Sequence, residues 1–373
     1  MSVEILPVDE SRRAVTRFVR FAEEVYRGDP HWVQPLIRDQ VHLIRSGPFN
    51  EIGTRQLFIA CRAGRTVARL SVHINHHHDS HYGPGRGFFG FFEALDDPEA
   101  TAALFTVGRD WLAARGCTEM VGPLSFSIYD EVGLLVDGFD GSPVVMCPYN
   151  PPYYARLLED VGLVKEVDWY GYRVSRNYCF PPALDRMRRQ VHARAGVAMQ
   201  RVADLDWQQS VATVRALFNE AWEGNWGHLP MTDAQWRHGQ QELRLAIVKT
   251  LSWIVYEGGE PVGFYLTVKD VNPALQQAHG RLFPWGLFRL LWHLRRIRRL
   301  RVLIMGFRAP YRRRGYPLAL VMDMTDGAVA MGMEACDCSQ IVETNTAMLR
   351  LVEGIGAERY RTFRVYRQDL HQP

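Results

Sequence analysis

The stretch RAPYRRRGYPLAL, Arg308 to Leu320, gathers four arginines around a single glycine. A run of β-formers precedes it (Val302 to Phe307), and a helix-like run from Pro317 to about Met331 follows, so the loop stands at a helix N-terminus. The first turn of a helix carries backbone N–H groups without intrahelical partners, and the macrodipole adds partial positive charge there, which suits an anion. Gly315 adopts backbone conformations that other residues resist and leaves room for a pyrophosphate beside Arg312, Arg313 and Arg314. The residues alone leave two readings open, a phosphate cradle or a solvated basic turn.

Two other clusters invite chemistry. HINHHHDSHY places His73, His76, His77, His78 and His81 near a strand end. Neighbours in an extended chain point to opposite sides, so the three adjacent imidazoles are not expected to converge, and no metal is expected. Cys336 and Cys338 fall on one face of a strand, where two buried thiols are expected rather than a redox or metal pair. The remaining cysteines, Cys61, Cys117, Cys147 and Cys179, form no C-x-x-C pair, and no secretory signal opens the chain, so a reducing cytoplasm is expected.

The elements that must hold these residues come in two sets. A chain of 373 residues, 47% hydrophobic and 23% charged, calls for two cores, and a net charge of +3 gives no case for nucleic acid. Hydrophobic patterning and Gly/Pro punctuation predict a strand at Val3 to Pro7, a helix at Arg12 to Tyr26, a hairpin around Ala63-Gly64 and a strand at Gly87 to Leu95. A helix at Glu99 to Arg115, a short strand at Glu119 to Val121, a helix at Pro152 to Val161 and a strand at Leu163 to Val174 complete the first half. The same order recurs from Ala198: strand, helices at Trp207 to Trp222 and Thr232 to Ile247, a hairpin around Gly258-Gly259, the strand and arginine loop, then helix, strand, helix from Asn345 and a last strand to Arg367. This is an internally duplicated α/β protein, with domains at 1–175 and 196–373 joined by a linker, 176–195, that contains Pro181-Pro182.

An insertion at 275–300 interrupts the second half. Its core, RLFPWGLFRLLWHLRRIRRLR (Arg281 to Arg301), places Leu287, Leu290, Leu291, Leu294 and Ile297 on one helical face with seven arginines around it. The apolar run is too short to span a bilayer. It suits an anionic membrane surface, with Trp285, Phe288 and Trp292 at headgroup level, or else a helix packed on its domain with a basic outer face.

The element order and the R-x-x-G turn resemble the GNAT (Gcn5-related) acyltransferases, over most of the second half by motif and over the first by topology. The resemblance implies acyl-CoA as co-substrate, gripped by Arg308, Arg312, Arg313, Arg314 and Gly315, and it matches Asn345 in NTAMLRLVEGIGA to a family asparagine. Two departures stand out: Pro317 costs the loop one donor, and Val352 stands where the family places a tyrosine that protonates the departing thiolate. The first half has Asp96, Asp97 and Glu99 where the second has arginines, so a single acyl-CoA site is expected. GFFGFFEA, DEVGLLVDGFD, YNPPYY and NEAWEGNWGHLP look like the bacterial ceramide synthases, which implies transfer to the amine of a long-chain sphingoid base at the inner membrane surface.

Amide formation needs a neutral amine, so a base near the acceptor is required. NEAWEGNWGHLP supplies Glu220, Asn225, Trp226 and His228; His228 leads as base because its pKa lies near working pH, its other reading being a packing histidine. Glu343 and Glu131 are further carboxylates for that role, and Tyr311 and Tyr265 are candidates to protonate the thiolate or to line the site. YNPPYY reads either as an acyl-channel lining or as capping and packing. Two rival functions stay open: transfer to a soluble amine, and a non-catalytic acyl-CoA or lipid sensor.

Overall fold

The computed structural model describes residues 2–175, 180–278 and 292–370. The chain forms two compact units, one of residues 1–169, 272–294 and 361–373, the other of residues 170–271 and 295–360.

The first unit opens with an antiparallel meander of β1 (Val3–Val8), β2 (Gly53–Arg62), β3 (Arg65–Asn75) and β4 (Arg86–Ala94). Ala63 and Gly64 both have positive φ (51° and 73°), the two-residue turn whose twist suits a hairpin. β4 then pairs in parallel with β5 (Glu119–Gly122) through the crossover helix Pro98–Ala113, and β5 pairs antiparallel with the C-terminal part of the chain's last strand. That helix starts on Asp97, whose side chain accepts from Ala100 N, with Pro98 at its first position. It buries Ala100, Leu104, Phe105 and Leu112 against the sheet. Short β6 (Leu134–Asp137) pairs with the same last strand, and β7 (Val164–Ser175) divides between the units at 169/170.

The second unit repeats the plan with β8 (Val197–Arg201), β9 (Trp253–Glu257), β10 (Glu260–Lys269) and β11 (Arg299–Phe307), all antiparallel. β11 pairs in parallel with β12 (Ala335–Asp337), which pairs antiparallel with residues 173–175 of β7. β13 (Ile341–Val342) leads to the helix Thr346–Gly354, and β14 (Glu358–Asp369) is the last strand, divided at 360/361. The helix Tyr316–Ala330 supplies Tyr316, Ala319, Leu320, Met324 and Ala328 to the core on one face of this sheet.

Three local readings change. Within the stretch 176–195, taken as the linker, Pro182–His192 is helical, since proline at a first helical position costs no hydrogen bond. The histidine run is the helix His76–Tyr82, not extended chain, since the Asn75 side chain accepts from the N–H groups of His77 and His78. Of the basic segment, Arg281 to Leu291 lies outside the described residues. Residues 292–294 are helical, and Arg299 onward is β-strand. Arg301 is buried there and donates to the Ser339 carbonyl, so the end of the expected helical face belongs to a sheet. No described helix is long and apolar enough to cross a membrane.

Candidate active site

In the second unit, the pairing of β11 with β12 ends at Arg301 and Asp337. Beyond that point β11 carries a bulge: Ile304 pairs with Leu266 and Val302 with Thr267, leaving Leu303 unpaired between them. Val302, Leu303 and Ile304 are only half-buried, although apolar, while the residues on either side are buried. The ladder between the two strands stops here, and the edge of β11 beyond it carries three half-buried apolar side chains.

The loop that follows β11 is held by its own arginines. Arg312 donates from Nε to the Phe307 carbonyl (3.0 Å) and from Nη2 to the Ala221 carbonyl (3.0 Å) at the end of helix Trp207–Ala221. Its guanidinium therefore caps a helix C-terminus and ties down the loop with two of its three nitrogens. Arg314 pairs with Glu257 (2.5 Å) and lies over the Tyr311 ring (4.8 Å), and Arg308 pairs with Glu220 (2.9 Å). Arg313 is exposed and makes no ion pair with the described residues. Gly315 has φ +83°, a left-handed conformation that favours glycine. A Cβ there would stand 3.0 Å from Val191 Cγ2, so the space beside the glycine is taken by the helix Pro182–His192.

On the acceptor side the structure joins two expected residues: Asn345 donates to the Asn225 side chain (3.4 Å) while its own oxygen caps the helix Thr346–Gly354 through Met348 N (3.2 Å). His228 is 2% exposed and packs against Phe218 and Trp222, ring centroids 5.5 and 6.4 Å apart. Trp226 is half-buried beside it in sequence. Glu343 accepts from Tyr170 (3.3 Å). Val352 is buried with Ile341 and Tyr172, a tyrosine the sequence did not single out. Tyr172 donates to Glu353 (2.7 Å), and burial followed by that carboxylate pushes its pKa up to about 12. Tyr265 is fully buried, its hydroxyl has no hydrogen-bond partner among the described residues, and burial with the nearby Cys336 and Cys338 thiols pushes its pKa far up. It keeps its proton and belongs to the core.

The first unit contains the same parting of strands, but its own chain fills it. β4 leaves β5 after Phe88; Leu124 N then donates to the Phe89 carbonyl (2.7 Å), and a Cβ on Gly90 would stand 2.0 Å from the Leu124 oxygen. Phe88 to Phe92 are all buried. At the helix start Asp97 is both cap and ion-pair partner of Arg62 (2.9 Å), which also holds Glu99 (2.8 Å). No anion is served by that arrangement. Tyr154 of YNPPYY accepts from Ala94 N and donates to Glu93, and Tyr153 donates to the Ala94 carbonyl, so the motif packs instead of lining a channel. Glu131 lies in this unit; its surface is more than a third exposed, yet the protein packed around its carboxyl, then Glu93, raises its pKa to about 7. His73 is fully buried among Phe49, Phe88 and Phe126, and burial pushes its pKa down to about 3. Among the described residues no three His, Cys, Asp or Glu side chains gather as a metal would require.

No family model matches the chain. It is 33% identical over 361 residues to Protein YghO of Escherichia coli (strain K12), covering 95% of this chain and 92% of that protein. It is 32% identical over 377 residues to the bacterial ceramide synthase of Caulobacter vibrioides, covering 99% and 98%. Among solved structures, a tandem GNAT protein from the clavulanic acid biosynthesis pathway matches at TM-score 0.57 and 11% identity over the whole of both chains. A GCN5-related N-acetyltransferase from Sphaerobacter thermophilus matches at 0.54 and 13% over 99% of this chain and 96% of that one. Identities this low speak for the fold alone.

Proposed function

We propose a substrate and a donor from one premise: this chain belongs to the tandem GNAT N-acyltransferase family that includes the bacterial ceramide synthase. The reaction is transfer of an acyl group from acyl-CoA to the amine of a long-chain sphingoid base. The observation that carries the donor assignment is the contrast between the two strand partings. One has half-buried apolar residues and is followed by a left-handed glycine and a basic loop at a helix start; the other is filled by Leu124 and followed by carboxylates.

In the reaction the neutral amine attacks the thioester carbonyl, the C–N bond forms, the C–S bond breaks, and CoA leaves as the thiol. The strand edge of β11 beyond Val302, no longer paired with β12, is where an acyl carbonyl would take backbone N–H groups, along the half-buried side chains of Leu303 and Ile304. With Val352 in place of the family tyrosine, the thiolate leaves without a dedicated acid, which its low basicity relative to an alkoxide allows. The amine proton passes to a carboxylate or water at the acceptor side; Glu343, two residues before Asn345 in the chain and bonded to Tyr170, is the carboxylate proposed for it. A long-chain acceptor would give the basic residues before β11, up to Arg298, a use in meeting an anionic membrane. The test is a panel of acyl-CoA donors, acetyl to palmitoyl, offered sphinganine and soluble amines, with products read by mass spectrometry. Amide on sphinganine supports the proposal, and amide on a soluble amine alone overturns the acceptor.

A further inference from the structure

The donor site assigned above needs more positive charge than its own loop presents. Arg308 and Arg314 are paired with Glu220 and Glu257, and Arg312 has two of its three nitrogens on carbonyls, so of the loop's arginines Arg313 alone has no partner among the described residues. Pro317 removes one first-turn N–H. A second cation stands at the same helix start from another segment. Arg194, exposed and just beyond the helix Pro182–His192, donates from Nη1 to the Tyr316 hydroxyl (3.2 Å) and to the Arg314 carbonyl (3.4 Å), with its guanidinium 5.4 Å from the Tyr316 ring centroid. Tyr316 in turn donates to Glu257 (2.6 Å), the carboxylate that draws Arg314 away. Arg194 has five N–H donors, and those on Nε and Nη2 make no hydrogen bond to the described residues.

Its position is fixed from behind. Val191 and Met187 pack on Gly315, at 3.0 and 3.7 Å from where a Cβ would be. About two to three turns further along Tyr316–Ala330, His192 meets Asp323 (2.9 Å) and Arg188 meets Asp326 (2.5 Å), locking the two helices antiparallel. The helix between the proline pair and Arg194 is therefore the back wall of the anion site, and its end delivers a guanidinium to the first residue of the binding helix.

We propose that Arg194, together with Arg313, binds the phosphates of acyl-CoA, so that the anion site is built from two segments and not from the arginine loop alone. This rests on the donor reading. Planar guanidinium donors suit phosphate oxygens, and Arg194 restores the donor that Pro317 removes.

The test is titration calorimetry of wild type, Arg194→Ala, Arg194→Lys and Arg313→Ala with CoA and with 3′-dephospho-CoA, beside acyl-transfer kinetics and thermal melting. Arg194→Ala should weaken CoA about tenfold and raise KM for acyl-CoA in proportion. The amine KM, kcat and melting temperature should stay near wild type, and lysine should restore part of the loss. An equal loss with 3′-dephospho-CoA supports contact with the diphosphate; a loss with CoA alone supports contact with the 3′-phosphate. Arg194→Ala binding CoA within twofold of wild type overturns the proposal and leaves the donor reading intact. Wild type that does not bind CoA overturns both.

Discussion

Placing alanine at position 315 asks how much of the anion site depends on one backbone conformation. The glycine sits at φ +83°, where a Cβ costs about 1 to 2 kcal/mol. The new methyl would stand 3.0 Å from Val191 Cγ2, tighter than ordinary contact, which adds about 1 kcal/mol unless the helix Pro182–His192 retreats. If about 2 kcal/mol of this falls on the loop's binding conformation, CoA affinity drops about thirtyfold. The two contributions separate in a cycle of Gly315→Ala, Val191→Ala and the double variant. Removing the Val191 methyls in the alanine background should return the steric part, about fivefold, while the backbone part stays. Calorimetric affinities of the four proteins give both numbers. An alanine variant that binds CoA within twofold of wild type would show that the left-handed turn is dispensable, and the reasoning from φ would fall.

Arg312→Ala should behave as a structural lesion: it strips hydrogen bonds from the carbonyls of Phe307 and Ala221, costs on the order of 2 kcal/mol, and lowers the melting temperature, whereas Arg313→Ala should weaken CoA with melting unchanged. His73 carries a pKa of about 3 against 6.5 unfolded, so its share of stability is present above pH 6.5 and is lost as pH falls toward 3. Urea unfolding should show on the order of 3 kcal/mol of this loss, and His73→Leu should remove it. Glu131 has the opposite sign. Its pKa of about 7 lies above the unfolded 4.5, so its contribution is present below pH 4.5 and is lost as pH rises through 7. Glu131→Gln should raise stability at pH 8 by about 1 kcal/mol, a figure reduced for solvent screening, with no gain at pH 4. A variant with the same gain at both pH values would refute it.

Much of the architecture was legible because its signals are local. The hairpins announce themselves by Ala63-Gly64 and Gly258-Gly259, the crossover helix by Asp97-Pro98, and the anion loop by a glycine between a strand and a helix. What escaped depends on distant partners. Arg312 reads as a phosphate ligand alone until the Ala221 carbonyl gives it a second task, and Gly315 looks like an open approach until Val191 fills it. Glu220 and Glu257 claim two arginines from elements far away in sequence. Two omissions had signals: Asn75 before the histidines is a helix cap, and Pro182 followed by ALDRMRRQVH is a helix start. The filled parting of the first unit had none beyond Gly90, whose missing side chain admits the Leu124 backbone.

The most direct test of the account is a single-turnover experiment with palmitoyl-CoA and sphinganine, counting CoA thiol released and amide formed from the same sample. The account predicts one amide for each CoA released, with both slowed in Gly315→Ala. Thiol released without amide, or acyl-CoA bound and left intact, would contradict it.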